Sequence, residues 1–233
     1  MMRQCCDFEV LIINERQQEE SPQIRVALPH RERRTIGAWC FCEHVGPLFT
    51  DQGVAFLETP RSEDGLQSLV WIVKGELFYL GHTGYLSPFS IGCETHQERV
   101  MCDKPTQQKQ PLHAIQFWLS APDRTLPALH FASQPPILPQ FIYCGVQCIV
   151  LVGEFLSHRS PVECALPLLA LDLKSPNLTK ITLPLDAQFE YGLLVFEGEI
   201  ILDGNNFNHN QFLYLKRGNR QLDLILTPAL LNK

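Results

Sequence analysis

Residues 69–81 read Leu69-Val-Trp-Ile-Val-Lys-Gly-Glu-Leu-Phe-Tyr-Leu-Gly81, and residues 192–204 read Gly192-Leu-Leu-Val-Phe-Glu-Gly-Glu-Ile-Ile-Leu-Asp-Gly204. In each copy an apolar run is followed by Gly-Glu, a second apolar run and another glycine. The central glycines, Gly75 and Gly198, can adopt the positive φ that a tight reversal needs, and the flanking residues suit a pleated, half-buried strand. Each copy therefore predicts a β-hairpin.

The spacing of the two copies indicates two domains. Gly75 and Gly198 lie about 123 residues apart. That spacing far exceeds the ~20–50 residues of a solenoid repeat and is close to the size of one small domain. A chain of 233 residues is long enough for two such units, each with its own core. The repeat therefore predicts two similar barrels in tandem.

The rest of the chain favours an all-β architecture. Short apolar runs separated by turn residues recur, and no long stretch keeps helical periodicity. Proline is concentrated in residues 121–139, which predicts a linker there. We therefore expect an N-terminal domain over residues 1–120, a proline-rich linker over 121–139 and a C-terminal domain over 140–233. The runs that we predict as strands are Ile149 to Gly153, Leu168 to Leu173, Phe212 to Leu215 and Leu222 to Leu226.

Composition excludes several classes of partner. The formal charge of −6 and the pI near 5.7 disfavour direct nucleic-acid binding, which draws on clustered Lys and Arg. No apolar stretch reaches the ~20 residues of a membrane span. The nine cysteines are an odd number, and no signal peptide precedes them, so we expect a reducing, cytoplasmic location. Their spacing favours small buried thiols over a zinc site.

Motifs of common enzyme classes are missing. The sequence contains no Gly-x-Ser-x-Gly elbow, no phosphate-binding glycine loop and no dinucleotide fingerprint. Ordinary hydrolase and nucleotide chemistry therefore lacks a sequence basis.

Three segments together resemble the pirin family. The stretch from Arg25 through Arg33-Arg-Thr-Ile-Gly37 to Glu43-His44-Val-Gly46-Pro47 is similar to the family's opening run, which ends in Asp-His-x-Gly-Pro. The strand Leu112-His113-Ala-Ile-Gln116-Phe-Trp118-Leu resembles the family's strand that leads out of the first barrel. With the Gly-Glu repeat, the similarity covers most of residues 25 to 125. The resemblance implies a bicupin fold of two tandem cupin-type β-barrels.

The resemblance also implies an iron site, which this sequence alters. Pirins carry His-Pro-His-x-Gly-Leu at the mouth of the first barrel, and its two histidines bind iron with a later His-x-Glu. The matching segment here is Arg61-Ser62-Glu63-Asp64-Gly65-Leu66, so both histidines are absent. The later pair matches His96-Gln97-Glu98-Arg99, although the preceding segment is shorter than in typical members.

The candidate metal ligands are therefore Glu63, His96 and Glu98, with Arg61 beside them. A guanidinium is a permanent cation and does not ligate a metal, so Arg61 favours an ion-paired, vestigial pocket. A site of one imidazole and two carboxylates stays open, and it would favour harder cations than iron. His44 also matches a family position, and we interpret its Glu-His-x-Gly-Pro segment as a turn that borders the pocket. We assign it a structural role that supports the loop.

Two functions follow from the resemblance. The first is a pirin-like bicupin without the usual iron chemistry, which binds a small ligand or a protein partner in a regulatory role and needs no cofactor. The alternative is an enzyme, a metal-dependent dioxygenase of the quercetin 2,3-dioxygenase type that uses iron or another divalent metal. Metal content separates the two.

Overall fold

The computed structural model describes residues 7–16, 24–48, 66–74, 77–80, 86–89, 93–94, 100–101, 112–120, 137–162, 164 and 166–228. Every regular element in these residues is a β-strand. The strands before residue 121 are β1 (Phe8–Ile12), β2 (Asn14–Arg16), β3 (Ile24–Leu28), β4 (Trp39–Leu48), β5 (Leu66–Lys74), β6 (Leu77–Leu80), β7 (Leu86–Phe89), β8 (Cys93–Glu94), β9 (Val100–Met101) and β10 (Leu112–Ser120).

The later strands follow the same short pattern. They are β11 (Gln140–Tyr143), β12 (Val146–Val152), β13 (Glu154–Phe155), β14 (His158–Arg159), β15 (Ala170–Lys174), β16 (Thr179–Pro184), β17 (Tyr191–Leu194), β18 (Ile200–Leu202), β19 (Asn205–Phe207), β20 (Gln211–Leu215) and β21 (Gln221–Leu226). The four runs predicted as strands are confirmed, because they coincide with β12, β15, β20 and β21.

The strands form two barrels of the cupin type. In the first, a six-stranded sheet runs in the order β2-β3-β4-β10-β5-β8 and a three-stranded sheet in the order β7-β6-β9. In the second, the orders are β11-β12-β15, β1-β20-β17 and β16-β21-β18-β19. The predicted all-β bicupin fold is confirmed.

The predicted hairpins at the two Gly-Glu reversals are wrong in their pairing. β5 pairs with β10 and β8, whereas β6 pairs with β7 and β9, so these consecutive strands lie in different sheets. β17 and β18 are separated in the same way. In both copies the chain therefore passes from one sheet to another, and in the second copy residues 195–199 form an arch between the two sheets. Gly198 has the positive φ that was predicted, at 73°, while Gly75 lies outside the described residues.

A true two-residue hairpin follows this arch. β18 and β19 pair in register across Asp203-Gly204, and both turn residues have positive φ, at 49° and 81°. This is the backbone of a type I′ turn, which matches the right-handed twist of the paired strands.

The amino-terminal strand joins the second barrel. β1 pairs antiparallel with β20 over its whole length, from Phe8 opposite Leu215 to Ile12 opposite Gln211. The strands from β2 onward return to the first barrel. The predicted linker falls largely outside the described residues, so the division at 121–139 stays a prediction.

One apolar cluster spans both barrels. Leu28, Trp71 and Ile115 of the first barrel pack with Leu151 and Phe212 of the second, all at or below 8% exposure. A second cluster fills the interior of the second barrel and includes residues of β12, β16, β20 and β21. The relative position of the barrels is therefore fixed by side-chain packing.

A matched pair of glycine substitutions tests the packing at the end of β12. Gly153 and Gly204 share a φ of +81°, but a Cβ at Gly153 would overlap the carbonyl oxygen of Leu168, whereas a Cβ at Gly204 meets no atom within 4 Å. We expect Gly204→Ala to lose about 1 kcal/mol and Gly153→Ala about 3 kcal/mol, because only the second adds a backbone clash to the left-handed conformation. Urea unfolding measures both, and equal losses would contradict the packing described.

Candidate functional site

The structure describes one of the predicted site residues. Arg61, Glu63, His96 and Glu98 lie outside the described residues, so the proposed metal ligands stay a prediction. His44 lies in β4 and is 4% exposed. The Glu-His-x-Gly-Pro segment, which was expected as a turn, lies within this strand: Glu43, His44 and Val45 pair with β10, while Gly46 and Pro47 fall at a register shift of the ladder.

His44 is paired with a second histidine that the sequence analysis did not select. His44 Nε2 lies 3.2 Å from His113 Nδ1, and the two rings are stacked with their centroids 5.3 Å apart. β4 and β10 are neighbours in the sheet, which brings the two imidazoles together. Among the described residues no group bonds to Nδ1 of His44, although that atom is buried.

Both imidazoles are held neutral. Burial lowers the pKa of His44 to about 3, and the nearby Arg25, His113 and His209 act in the same direction. Burial also lowers the pKa of His113; Glu197 opposes this effect, while Lys74 and Arg25 add to it. Two neutral rings satisfy each other when one donates its N–H and the other accepts, so the short contact between them is a hydrogen bond.

The Gly198 arch, residues 195–199, contacts the histidine pair. The ring of Phe196 packs against His44 with centroids 5.3 Å apart. Glu197 Oε1 lies 3.7 Å from Lys74 Nζ, and both side chains are about half exposed. An ion pair at such an exposed site contributes ~0–1 kcal/mol. The contact between Phe196 and His44 therefore contributes more to holding the Gly198 arch against the histidine pair.

A cavity of about 430 Å³ extends from the contact between the two barrels into the second barrel. Its walls are mainly apolar, and a cavity of this size is in the range of small-molecule sites. Both barrels supply aromatic side chains, including Phe196 of the Gly198 arch, and most of the lining leucines come from the second barrel. His44 does not line the cavity but lies behind Phe196. The aromatic lining residues include Trp39, Trp71, Phe117, Tyr191, Phe196 and Phe212.

A hydrogen bond between the barrels supports one wall. Trp71 Nε1 donates to Asp172 Oδ2 over 3.1 Å, and Lys174 Nζ lies 3.1 Å from the same oxygen. Trp71 is 8% exposed, so its indole N–H needs this partner.

Glu190 forms a second link between the barrels. Its carboxylate accepts from the backbone N–H of Gly37 and from the hydroxyl of Tyr214, each over 2.8 Å. Partial burial raises the pKa of Glu190, but these two hydrogen bonds, with Arg217 and Arg33, outweigh it, so the pKa lies below its ordinary value. The Arg33 guanidinium lies 3.4 Å above the Tyr214 ring.

Within the described part of the chain, no group of three or more His, Cys, Asp or Glu residues could hold a metal ion. Five cysteines there are free thiols: Cys42 and Cys148 are buried as expected, whereas Cys144 is exposed and Cys40 and Cys164 are partly buried. The same residues contain no helix long and apolar enough for a membrane crossing.

Comparisons with known proteins indicate one family, although no family model matches the chain. A Pseudomonas aeruginosa protein with the provisional name quercetin 2,3-dioxygenase is 31% identical over 206 residues, which cover 87% of this chain and 65% of the relative. A pirin-like protein of Caulobacter vibrioides is 22% identical, covering 82% of this chain and 70% of the relative. The chain thus spans just under two thirds of the first relative's length.

A solved structure shows the same fold. The crystal structure of a quercetin 2,3-dioxygenase from Acinetobacter baumannii matches with a TM-score of 0.78 at 25% identity, over 95% of this chain and 76% of the other.

The histidine pair should make stability depend on pH. The pKa of His44 is about 3 in the folded chain against 6.5 unfolded, so below pH 6.5 the unfolded chain takes up a proton that the folded chain does not. Stability should therefore fall as the pH drops from about 6.5 towards 3, by at most ~1.4 kcal/mol per pH unit for this group. Urea unfolding at pH 6.5, 5.5 and 4.5 measures the slope.

Two variants complete that measurement. His44→Gln removes the titrating ring and should flatten the slope, although His113 retains a smaller contribution. Lys180→Ala, at an exposed position on β16, should keep the wild-type slope. Equal slopes for His44→Gln and the wild type would contradict a neutral His44.

Proposed function

The chain belongs to the pirin family of bicupin proteins, and we propose that it works as a binding protein without the family's iron chemistry. The cavity carries this proposal. It is large enough for a ligand, mainly apolar, and bordered by hydrogen-bonding groups such as Asp172, which is the usual composition of a binding site. Its occupant is a small ligand or a segment of a protein partner, in a regulatory role and in the cytoplasm.

The residues at the family's metal positions do not fit iron. Arg61 and Glu63 stand where the family has two imidazoles. A guanidinium offers donors only and keeps its positive charge, so Arg61 repels a cation at that point. Glu63, His96 and Glu98 would leave one nitrogen and two carboxylate groups, a donor set that suits harder cations better than iron.

A dioxygenase of the quercetin 2,3-dioxygenase type is the second candidate. The provisional name of the Pseudomonas aeruginosa relative, at 31% identity, favours it. In that case a divalent metal would hold and polarise the substrate, and the three residues Glu63, His96 and Glu98 would have to bind it.

Metal content and oxygen consumption separate the two candidates. We expect protein purified without chelators to contain iron well below one ion per chain. We also expect no oxygen uptake with quercetin after loading with Fe²⁺, Mn²⁺, Ni²⁺ or Cu²⁺. Near-stoichiometric iron that is lost in both His96→Ala and Glu98→Ala would overturn the proposal in favour of the enzyme.

Restoring the two imidazoles tests the role of Arg61 directly. The double substitution Arg61→His with Glu63→His returns the ligands found in the family, so bound iron should rise towards one ion per chain. Arg61→Lys keeps the positive charge and should stay at the wild-type iron content. If the double variant binds no more iron than Arg61→Lys does, the substitution at position 61 is not what removes the metal.

A further inference from the structure

The cavity is lined by its strands in two different ways. β21 contributes Leu222, Leu224 and Leu226, every second residue, as expected when the face of a sheet forms a wall. β15 and its flanks contribute every residue from 169 to 175, and β17 and its flanks every residue from 190 to 197. Consecutive residues line a cavity when the edge of a strand, with its backbone, points into it.

The sheet orders agree with this geometry. β15 is the last strand of the sheet β11-β12-β15, and β17 is the last strand of the sheet β1-β20-β17. Neither strand pairs on its other side with any strand of the described residues. The cavity therefore borders both strand edges and forms a gap along them, where the outward N–H and C=O groups have no ladder partner within the described part of the chain.

A gap of this kind selects the chemistry of its occupant. An extended peptide can offer donors to one edge and acceptors to the other along its whole length, which a compact small molecule cannot do. Both faces of such a peptide would meet apolar side chains, the leucines of β21 on one side and Ile115 and Phe117 of β10 on the other. β15 has five residues and β17 has four, so an added strand of four or five residues would match both edges in length.

The charges at the rim indicate the flanks of that peptide. Four carboxylates line the cavity, Asp172, Glu190, Glu197 and Glu199. Asp172 is paired with Lys174 and Glu197 with Lys74, so four negative and two positive charges leave a net charge of about −2. An acidic rim favours an occupant with Lys or Arg on either side of its apolar part.

We propose that the gap between β15 and β17 binds an extended apolar segment of a partner protein, flanked by Lys or Arg, which adds as a strand to both edges. This inference rests on the proposed binding role of the cavity and names its occupant.

Fluorescence polarisation with a designed peptide tests the proposal. The probe is fluorescein-labelled Lys-Lys-Val-Ile-Val-Leu-Val-Lys-Lys, titrated with the full chain. Two control peptides carry N-methyl groups on one or the other alternate set of core residues, which removes the N–H donors towards one edge only. We expect each methylated peptide to bind at least about tenfold more weakly, since main-chain hydrogen bonds carry strand addition. A peptide with Glu in place of every Lys should also bind more weakly.

Hydrogen exchange locates the binding. The amides of residues 170–174 and 191–194 should both become protected when the unmodified peptide is bound. Equal affinity of the methylated peptides, or protection at neither strand, would overturn the proposal. Nile red, a neutral dye, should quench tryptophan fluorescence when it binds in the cavity, and quench it less in Trp71→Phe. If the dye behaves in this way but the peptide does not bind, the strand inference fails while the binding role of the cavity stands.

Two further measurements exclude other occupants. A chain that lacks residues 229–233 should bind the peptide with unchanged affinity. A gain in affinity would assign the gap to those residues and overturn the proposal of a partner. The chain could also self-associate as its concentration rises. If the peptide abolishes that self-association, the gap belongs to a second copy of the chain, and the proposal of a partner is again overturned.

Discussion

The contact between the two barrels depends on apolar packing, and the walls of the cavity depend on that contact. Trp71 and Ile115 pack with Leu151 and Phe212 in one cluster that neither barrel forms alone. Burial of each large side chain contributes ~1.5–3 kcal/mol, whereas the exposed Lys74–Glu197 pair contributes ~0–1 kcal/mol. The cluster therefore holds the barrels together, and the bond from Trp71 to Asp172 fixes where the edge strand β15 lies against them.

The sequence located the chain reversals well but not the strand partners. The predicted positive φ at Gly198 is confirmed, and four predicted apolar runs coincide with strands. A hairpin and an arch between sheets need the same local residues, a glycine between two apolar runs, so the local pattern could not separate them. The Asp203-Gly204 turn shows the difference, because there both turn residues have positive φ and the strands are in register.

The candidate site was less predictable than the fold, because its contacts join distant residues. His44 was selected by resemblance, but its partner His113 is 69 residues away, and Trp71 is 101 residues from Asp172. In the sequence, Trp71 is one more apolar strand residue, and only its burial in the structure shows that its N–H needs a hydrogen-bond partner. A weak signal did exist for His113, which is one of three polar residues, with Gln116 and Ser120, in a mainly apolar strand. The position of the cavity could not be read from composition, because it follows from which edges remain unpaired.

The edge strands of this chain differ in whether they carry residues that discourage pairing, and the difference bears on the cavity. β16 is the edge of its sheet and carries Lys180 on an exposed position and Pro184 at its end, which are devices that discourage pairing with another strand. β15 and β17 are also edges; β15 carries the charged residues Asp172 and Lys174 among its five, whereas β17 reads Tyr-Gly-Leu-Leu and carries no charge. An apolar edge without protection promotes aggregation. β17 therefore differs from β15 and β16, because it alone of these three edges presents an uncharged, apolar strand beside the cavity, where pairing with another strand is least opposed.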